Sequence, residues 1–407
     1  MADKDSMARS NPIYETGKGT AFSLAHSGNK DAMAILSKID LRVDAPNGTE
    51  VPPLVQKGFT IALESRYEIS NQLMLREGKP YIIDLPSGYT PRAFFSAKHG
   101  LNYIGFDLPI VADSIGSTVK ELLPEQYGKT VMYYGVDATN YASMSRALDS
   151  IDGEVCIVTD GLLGYFNEFE MKSVVRNMKS ILARFGGSWI TGDLTSMDIY
   201  SATFGVLLQN DPTYINALTV SLANQMSDAK LGRNSLFDGG LPKARTFLNE
   251  QGFDIEEISF ADLLPELNSM AEMPDKFEEL RAAFRDIVMW KLTLKEGAEK
   301  DVQEVEDEKF AAVLNADGNE LHVALSGRLD TITAPELLQK YETLVPDGGF
   351  ESITVDAQQL QYVSSAGLRI LLIMYKALAG SRTFKIVNGN DEINSILEMT
   401  GLNDFLM

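Results

Sequence analysis

Residues 80–109 read PYIIDLPSGYTPRAFFSAKHGLNYIGFDLP, and the order of elements in this stretch decides the fold. An apolar run of strand length, PYIIDL (80–85), meets the turn LPSGYTPR (85–92), and a second such run, LNYIGFDL (101–108), follows. Short apolar runs bounded by turn residues read as strands buried on both faces. The rhythm continues through TVMYYGVD (130–137), EVCIVTD (154–160) and GGSWITGD (186–193). Between the last two, Glu168–Phe185 places Met171, Val174, Val175, Met178, Ile181 and Leu182 on one helical stripe. Five buried strands separated by helices imply an α/β protein with a parallel sheet covered on both faces. GFDIEEIS (252–259) and VMWKLTL (288–294) supply a sixth and a seventh strand. Residues 1–75, with a loop around DAPNGTEVPP (44–53), and residues 197–250 read as helix-rich and are expected to pack over the sheet as a cap.

The chain is too long for one compact core, with 407 residues, so two or three domains are expected. Its net charge of -21 argues against nucleic-acid and anionic-membrane surfaces, which would repel it. Residues 309–407 carry 7 Lys/Arg against 12 Asp/Glu, leaving -16 on residues 1–308, so the acidity is spread over the chain as for simple solubility. The single cysteine, Cys156, cannot form an intrachain disulfide, which fits a reducing compartment. The start MADKDSMARSNP has no signal-peptide core, and no apolar run approaches the ~20 residues that span a bilayer. A cytoplasmic location is expected. His26, His99 and His322 are too scattered in sequence to suggest a metal site or a catalytic triad.

The clearest seam is EGAEKDVQEVEDE (296–308), with seven acidic residues and one basic, which reads as a solvated linker or frayed helix. The expected organisation is a domain over 1–295, this linker over 296–308 and a second domain over 309–407. In the second domain the pattern restarts as a βαβαβα unit. Strands are expected at 321–327, 352–357 and 383–388, and helices at 333–344, 364–380 and 391–402, with Thr333 as the first helix's N-cap.

Open parallel sheets bind ligands beyond the carboxyl ends of their strands, near the point where strand order reverses. In the turn after the first strand, Gly88 permits close approach of backbone to a ligand. Asp107 ends the second strand, where a carboxylate can accept both hydroxyls of a ribose. Asp160, in TDGLLGYF (159–166), ends the fourth, with Tyr165 close by. Each feature alone also reads as ordinary turn or capping chemistry, and neither a G-x-G-x-x-G nor a P-loop motif is present.

Taken in order, LPSGYTPR (85–92), FDLP (106–109) and DGLLGYF (160–166) resemble the leucine carboxyl methyltransferase-like branch of class I S-adenosylmethionine-dependent methyltransferases. GKGTAFSLAH (17–26) and ALESRY (62–67) resemble that family's cofactor-closing segments, so the resemblance covers about residues 15–295. It implies a Rossmann-like seven-stranded sheet and S-adenosyl-L-methionine as cofactor. Gly88 would lie against the methionine part, Asp107 on the ribose, Asp137 near the adenine and Asp160 at the methionine amino group. Arg66 and Arg92 would orient carboxylates of cofactor or substrate, and Tyr165 would face the sulfonium. Departures are Pro86 for the first turn glycine, Thr90-Pro91 for Asp-Thr, and Asp160 for Glu. A proline there removes a backbone N–H, so a reduced or vestigial cofactor site stays open.

The run YVSSAGLR (362–369) precedes an apolar helix. Spacing alone leaves two readings: Ser364 and Ser365 merely start the helix, or a phosphate on Ser365 sits at its positive end. GRLDTITAP (327–335) followed by LQYVSSAGLR (360–369) resembles the STAS domain of anti-sigma-factor antagonists, across nearly all of 309–407. That resemblance implies phosphorylation at Ser365 and an anti-sigma-type serine kinase, or another regulatory protein, as partner. No acidic residue precedes the acceptor here, which leaves kinase recognition open. Asp330 and Asp356 are expected near the same corner. The expected whole is a regulatory protein joining a methyltransferase that acts on a small-molecule acceptor to a phosphorylation-controlled switch. The alternative is a non-catalytic sensor or scaffold in which only the switch acts.

Overall fold

The structure, a computed structural model, describes residues 13–40, 52–209, 240–301, 309–345, 349–378, 383–399 and 405. The chain separates into two compact units, one of Met1–Thr139 with Met144–Gln303 and one of Asn140–Ser143 with Glu304–Met407.

In the first unit the strands are β1 (Tyr81–Asp84), β2 (Asn102–Asp107), β3 (Val131–Gly135), β4 (Val155–Thr159), β5 (Gly187–Thr191), β6 (Phe253–Ser259) and β7 (Val288–Leu294). They form one sheet in the order β3-β2-β1-β4-β5-β7-β6. β1 to β5 are parallel, and β7 runs antiparallel between β5 and β6. All seven runs read from the sequence are present, because β1, β2, β4 and β5 are buried nearly throughout and need apolar side chains on both faces. Strand order reverses between β1 and β4, which places a crevice at their carboxyl ends.

The helices that shape this crevice are α1 (Ile13–His26), α2 (Pro53–Glu77), α3 (Arg92–Lys98), α4 (Pro109–Leu122), α5 (Glu168–Phe185) and α6 (Ser196–Leu207). α2 starts with proline in its first turn and stops at Gly78, which takes a left-handed conformation. Its Ile61, Ile69 and Leu73 join Ile82, Cys156 and Ile190 of the sheet in one core. α5 opens with a capping box, the Asn167 side chain accepting from Glu170 N while Glu170 accepts from Asn167 N. Its six stripe residues are all buried, as the helical spacing requires. The amino-terminal helices do cover the sheet, whereas the loop expected at 44–53 and the region 210–239 lie mostly outside the described residues.

In the second unit β8 (Ala311–Asp317), β9 (Glu320–Leu329), β10 (Ser352–Val363) and β11 (Thr383–Val387) form a sheet ordered β11-β10-β9-β8. Its helices are α7 (Ala334–Glu342), α8 (Ser365–Lys376) and α9 (Asp391–Met399). The three expected strands pair in parallel, and an additional one, β8, precedes them as the antiparallel arm of a hairpin. β8 escapes a sequence reading because it is an edge strand in which Ala312 alone is buried. Gly380, the expected end of α8, lies outside the described residues.

Candidate functional site

At the end of β1 the chain passes through a cis Leu85–Pro86 bond into the glycine turn. Pro86 brings no N–H, but its neighbours tie the turn to both adjacent strands. Leu85 N donates to Val158 O (2.9 Å) and Ser87 N to Phe106 O (2.8 Å). Gly88 then takes φ +53, and a Cβ built there would meet only Thr90 Cγ2, at 3.9 Å. Asp107 closes the turn across the crevice, one carboxylate oxygen accepting from Gly88 N and the other from Leu108 N, each at 2.7 Å. Gly17 of α1 lies over this turn, a Cβ built there falling 3.7 Å from Tyr89 Cδ2 and 3.9 Å from Gly88 Cα. Burial raises the Asp107 pKa to about 7, against the pull of its two backbone donors.

Asp137, after β3, is buried, and one of its oxygens accepts from Thr139 N (2.8 Å) and from the Thr139 hydroxyl (2.6 Å). At the end of β4, Asp160 meets Arg66 Nε at 2.5 Å and Arg92 Nη2 at 3.2 Å. Burial by itself would raise the Asp160 pKa, yet the two guanidinium charges outweigh it and hold the carboxyl below its ordinary value. Arg92 is 1% exposed, and all three of its guanidinium nitrogens are engaged. Nε donates to Asn71 Oδ1 (3.1 Å), Nη1 to Asp84 (2.6 Å) and Nη2 to Asp160 (3.2 Å), above the Tyr67 ring. The Tyr103 hydroxyl donates to the other Asp84 oxygen at 2.7 Å. A ligand carboxylate would reach Arg92 only by displacing Asp84 or Asp160.

The structure therefore brings Gly88 and Asp107 together at one point and Arg66, Arg92 and Asp160 at another, with Asp137 on a separate turn. Tyr165, in a one-turn helix after β4, is half-buried and lies within the field of Arg66, as do Tyr200 of α6 and Asp193.

Asp193 was not singled out from the sequence. Its carboxylate accepts from Gly161 N (2.5 Å), Leu162 N (2.7 Å) and Leu163 N (2.8 Å), holding the loop that carries Asp160 and Tyr165. Its place at the carboxyl end of a core strand was the available signal.

The turn suits the adenosyl and methionine parts of the expected cofactor. The Gly88 side is open, each Asp107 oxygen keeps a lone pair for a hydroxyl, and the Ser87 hydroxyl is buried with no partner among the described residues. Among those residues no cluster of side chains could hold a metal, and no helix is long and apolar enough to cross a membrane.

In the second unit Ser364 and Ser365 have different tasks. Ser364 is 2% exposed and caps α8, its hydroxyl accepting from Gly367 N at 3.2 Å while its own N–H donates to Leu329 O. Ser365, the first residue of α8, is exposed. Gly367 is fixed by close approach, since a Cβ there would fall 2.5 Å from Leu329 O. One Asp330 oxygen accepts from Ile332 N and Thr333 N at the start of α7. Thr333 does stand at the N-cap of α7, as expected, but its side chain makes no cap bond to the helix and its hydroxyl donates instead to Arg328 O at 2.7 Å. Asp356 is spent on a bulge in β10, accepting from Gln358 N and Asn388 Nδ2.

Known proteins match separate parts of the chain. The family model described as "Mlab, STAS domain" matches residues 312–407. No curated protein matches the chain. An anti-sigma factor antagonist from Mycobacterium paratuberculosis is 24% identical over 24% of this chain and 83% of its own, with a TM-score of 0.22. The magnesium protoporphyrin IX methyltransferase from Synechocystis is 11% identical over 67% of this chain and 96% of its own, at a TM-score of 0.35. An O-methyltransferase family protein from Burkholderia thailandensis is 14% identical over 60% of this chain and 59% of its own, also at 0.35. The first unit has a class I methyltransferase-like sheet. Residues 312–407 form a STAS domain.

Proposed function

We propose that the chain is a cytoplasmic regulatory protein in which an S-adenosylmethionine-dependent methyltransferase domain, residues 1–295, is joined through the acidic linker 296–308 to a STAS switch, residues 309–407. The observation that carries the first half is the glycine turn after β1, held to Asp107 at the point where strand order reverses. Gly88 lies against the methionine part of the cofactor, Asp107 accepts the ribose hydroxyls, and Asp137 borders the adenine. Asp160 and Arg66 face the amino and carboxylate groups, and Tyr165 lies toward the sulfonium. When bound, the cofactor supplies an activated methyl group. The protein's part is to align a small-molecule acceptor and exclude water. Arg92 acts inside the scaffold, aiming Asp160.

In the STAS domain the exposed Ser365 is the phosphate acceptor. A phosphate there adds ~1.5 to 2 negative charges at a helix start, where the positive end of the helix dipole stabilises it. It disrupts docking of an anti-sigma-type serine kinase or another regulatory protein. The buried Ser364 serves as a cap.

Incubation of the full chain with methyl-labelled S-adenosylmethionine and a small-molecule cell extract tests the first half, and label is expected to move to an extract component. A non-catalytic sensor is the second reading, favoured by the commitment of Arg92, Asp160 and Asp193 to one another's loops. Cofactor binding with no transfer of label would select it. For the switch, Ser365→Asp is expected to lose a partner that Ser365→Ala retains. Equal binding by both variants would reduce the domain to an assembly module.

A further inference from the structure

β8 ends the sheet of the second unit and pairs on one side only, with β9. The two-residue turn Gly318–Asn319 joins them, with Gly318 at φ +59 and Asp317 opposite Glu320. In such a hairpin the residues flanking the turn exchange both backbone bonds, and every second pair does so thereafter. Asp317, Asn315, Val313 and Ala311 therefore turn their N–H and C=O groups to β9, while Ala316, Leu314 and Ala312 turn theirs outward. One contact agrees with that direction: Lys340 Nζ of α7 donates to Ala312 O at 2.9 Å. That carbonyl keeps a second lone pair, and the outward N–H groups have no such cover among the described residues.

The side chains alternate as the backbone does. Ala312 is buried and Leu314 half-buried, whereas Ala311, Val313, Asn315 and Asp317 are exposed on the other face. Val313 is 56% exposed and lies opposite Ala324 of β9, also exposed. Opposite charges stand at the two ends. Lys309, just before β8, and Asp317, its last residue, are exposed and make no ion pair among the described residues. An open edge with free donors and an apolar centre is a template for another strand.

A second copy of β8 fits that template. Antiparallel pairing centred on Val313 sets the outward groups of Ala312 against those of Leu314, so the backbones of both strands meet in phase. It sets Val313 against Val313, and Lys309 of each copy against Asp317 of the other. Both are positions without exchanged backbone bonds, where side chains approach most closely. Centring the pairing on Ala312 or Leu314 keeps the backbone in phase but sets Lys309 against Asn315 or Asn319, and both ion pairs are lost.

We propose that the open edge of β8 pairs antiparallel with β8 of a second copy of this chain, in the register that joins Lys309 to Asp317 twice and carries one sheet across two STAS domains. A strand of seven residues makes a small contact, so the dimer belongs to the weak, reversible class. Neither half of the proposed function is needed for it.

The test is sedimentation equilibrium of the full chain, from low micromolar to about 300 μM in about 0.15 M salt, which screens the repulsion between two chains of net charge -21. A monomer–dimer equilibrium is expected. Lys309→Asp or Asp317→Lys alone is expected to weaken it at least about fivefold, since each sets like charges together at both ends of the contact. The two changes combined are expected to restore it to within about twofold. Leu314→Pro removes an outward N–H that β9 does not use, so the fold persists by circular dichroism while the dimer is lost. If that variant does not fold, the charge reversals decide. A monomer at every concentration of the unmodified chain would overturn the proposal and show that Lys340 closes the edge. A dimer indifferent to both single reversals would also overturn it, because the contact would then lie on another surface.

Discussion

Replacing Arg92 with methionine removes the cation at the centre of the crevice while keeping most of its volume. Asp84, with no exposed surface, then keeps the Tyr103 hydroxyl as a donor, and Asp160 keeps Arg66. Breaking a buried pair by removing one partner costs about 3–5 kcal/mol, because a charge is left without compensation. Adding Asp84→Asn removes that charge, so the double variant should recover roughly half of the loss. The sign of the pH dependence follows from Asp84. Burial already raises its pKa against the pull of Arg92, and without Arg92 it rises further. A carboxyl whose folded pKa lies above its unfolded one favours folding at low pH and loses that contribution as pH rises through the folded pKa. The Arg92→Met deficit should therefore be largest near pH 8 and shrink on acidification. Both tryptophans of the chain, Trp189 on β5 and Trp290 on β7, lie in the first unit, so urea unfolding followed by their fluorescence reports that unit alone. A loss below about 1 kcal/mol, or one independent of pH, would refute the scaffold role assigned to Arg92.

Asp107, with a pKa of about 7, should make S-adenosylhomocysteine bind more tightly as pH rises from 6 to 8, because the ionised carboxylate is the better acceptor for ribose hydroxyls. The same shift costs folding stability over that rise, and Asp107→Asn should flatten both profiles in calorimetry and urea titration. Ser364→Ala should weaken the STAS domain by about 1 kcal/mol and Ser365→Ala by less than about 0.5, read by hydrogen exchange of peptides from 309–407. Equal effects would contradict the division between cap and acceptor. Gly367→Ala drives a methyl into Leu329 O and should cost about 1–3 kcal/mol in the same exchange measurement, where an unchanged protection pattern would show that α8 can shift.

Much of this architecture was legible in the sequence because the informative strands are buried on both faces. β1, β4 and β5 carry continuous apolar runs, and the α5 stripe falls at helical spacing, so period alone places them. β8 was not legible: an edge strand with one buried residue leaves almost no period to read. Asp107 and Gly88 could be paired by their places at strand ends, which topology dictates. The partners of Arg92 could not, since Asn71, Asp84 and Asp160 are far apart in sequence and only the packed sheet brings them to one guanidinium. Asp193 escaped for a related reason. Its work is with three backbone N–H groups of a distant loop, and backbone donors leave no residue-type signature.

The most direct measurement is a calorimetric titration of the folded full-length chain with S-adenosylhomocysteine, alongside Gly88→Val. The account predicts one-to-one binding by the unmodified chain. It also predicts loss of binding in Gly88→Val, whose branched side chain cannot adopt the left-handed turn at φ +53 without strain. No heat from the folded unmodified chain, or equal binding by both, would contradict the claim that the turn after β1 is a cofactor site.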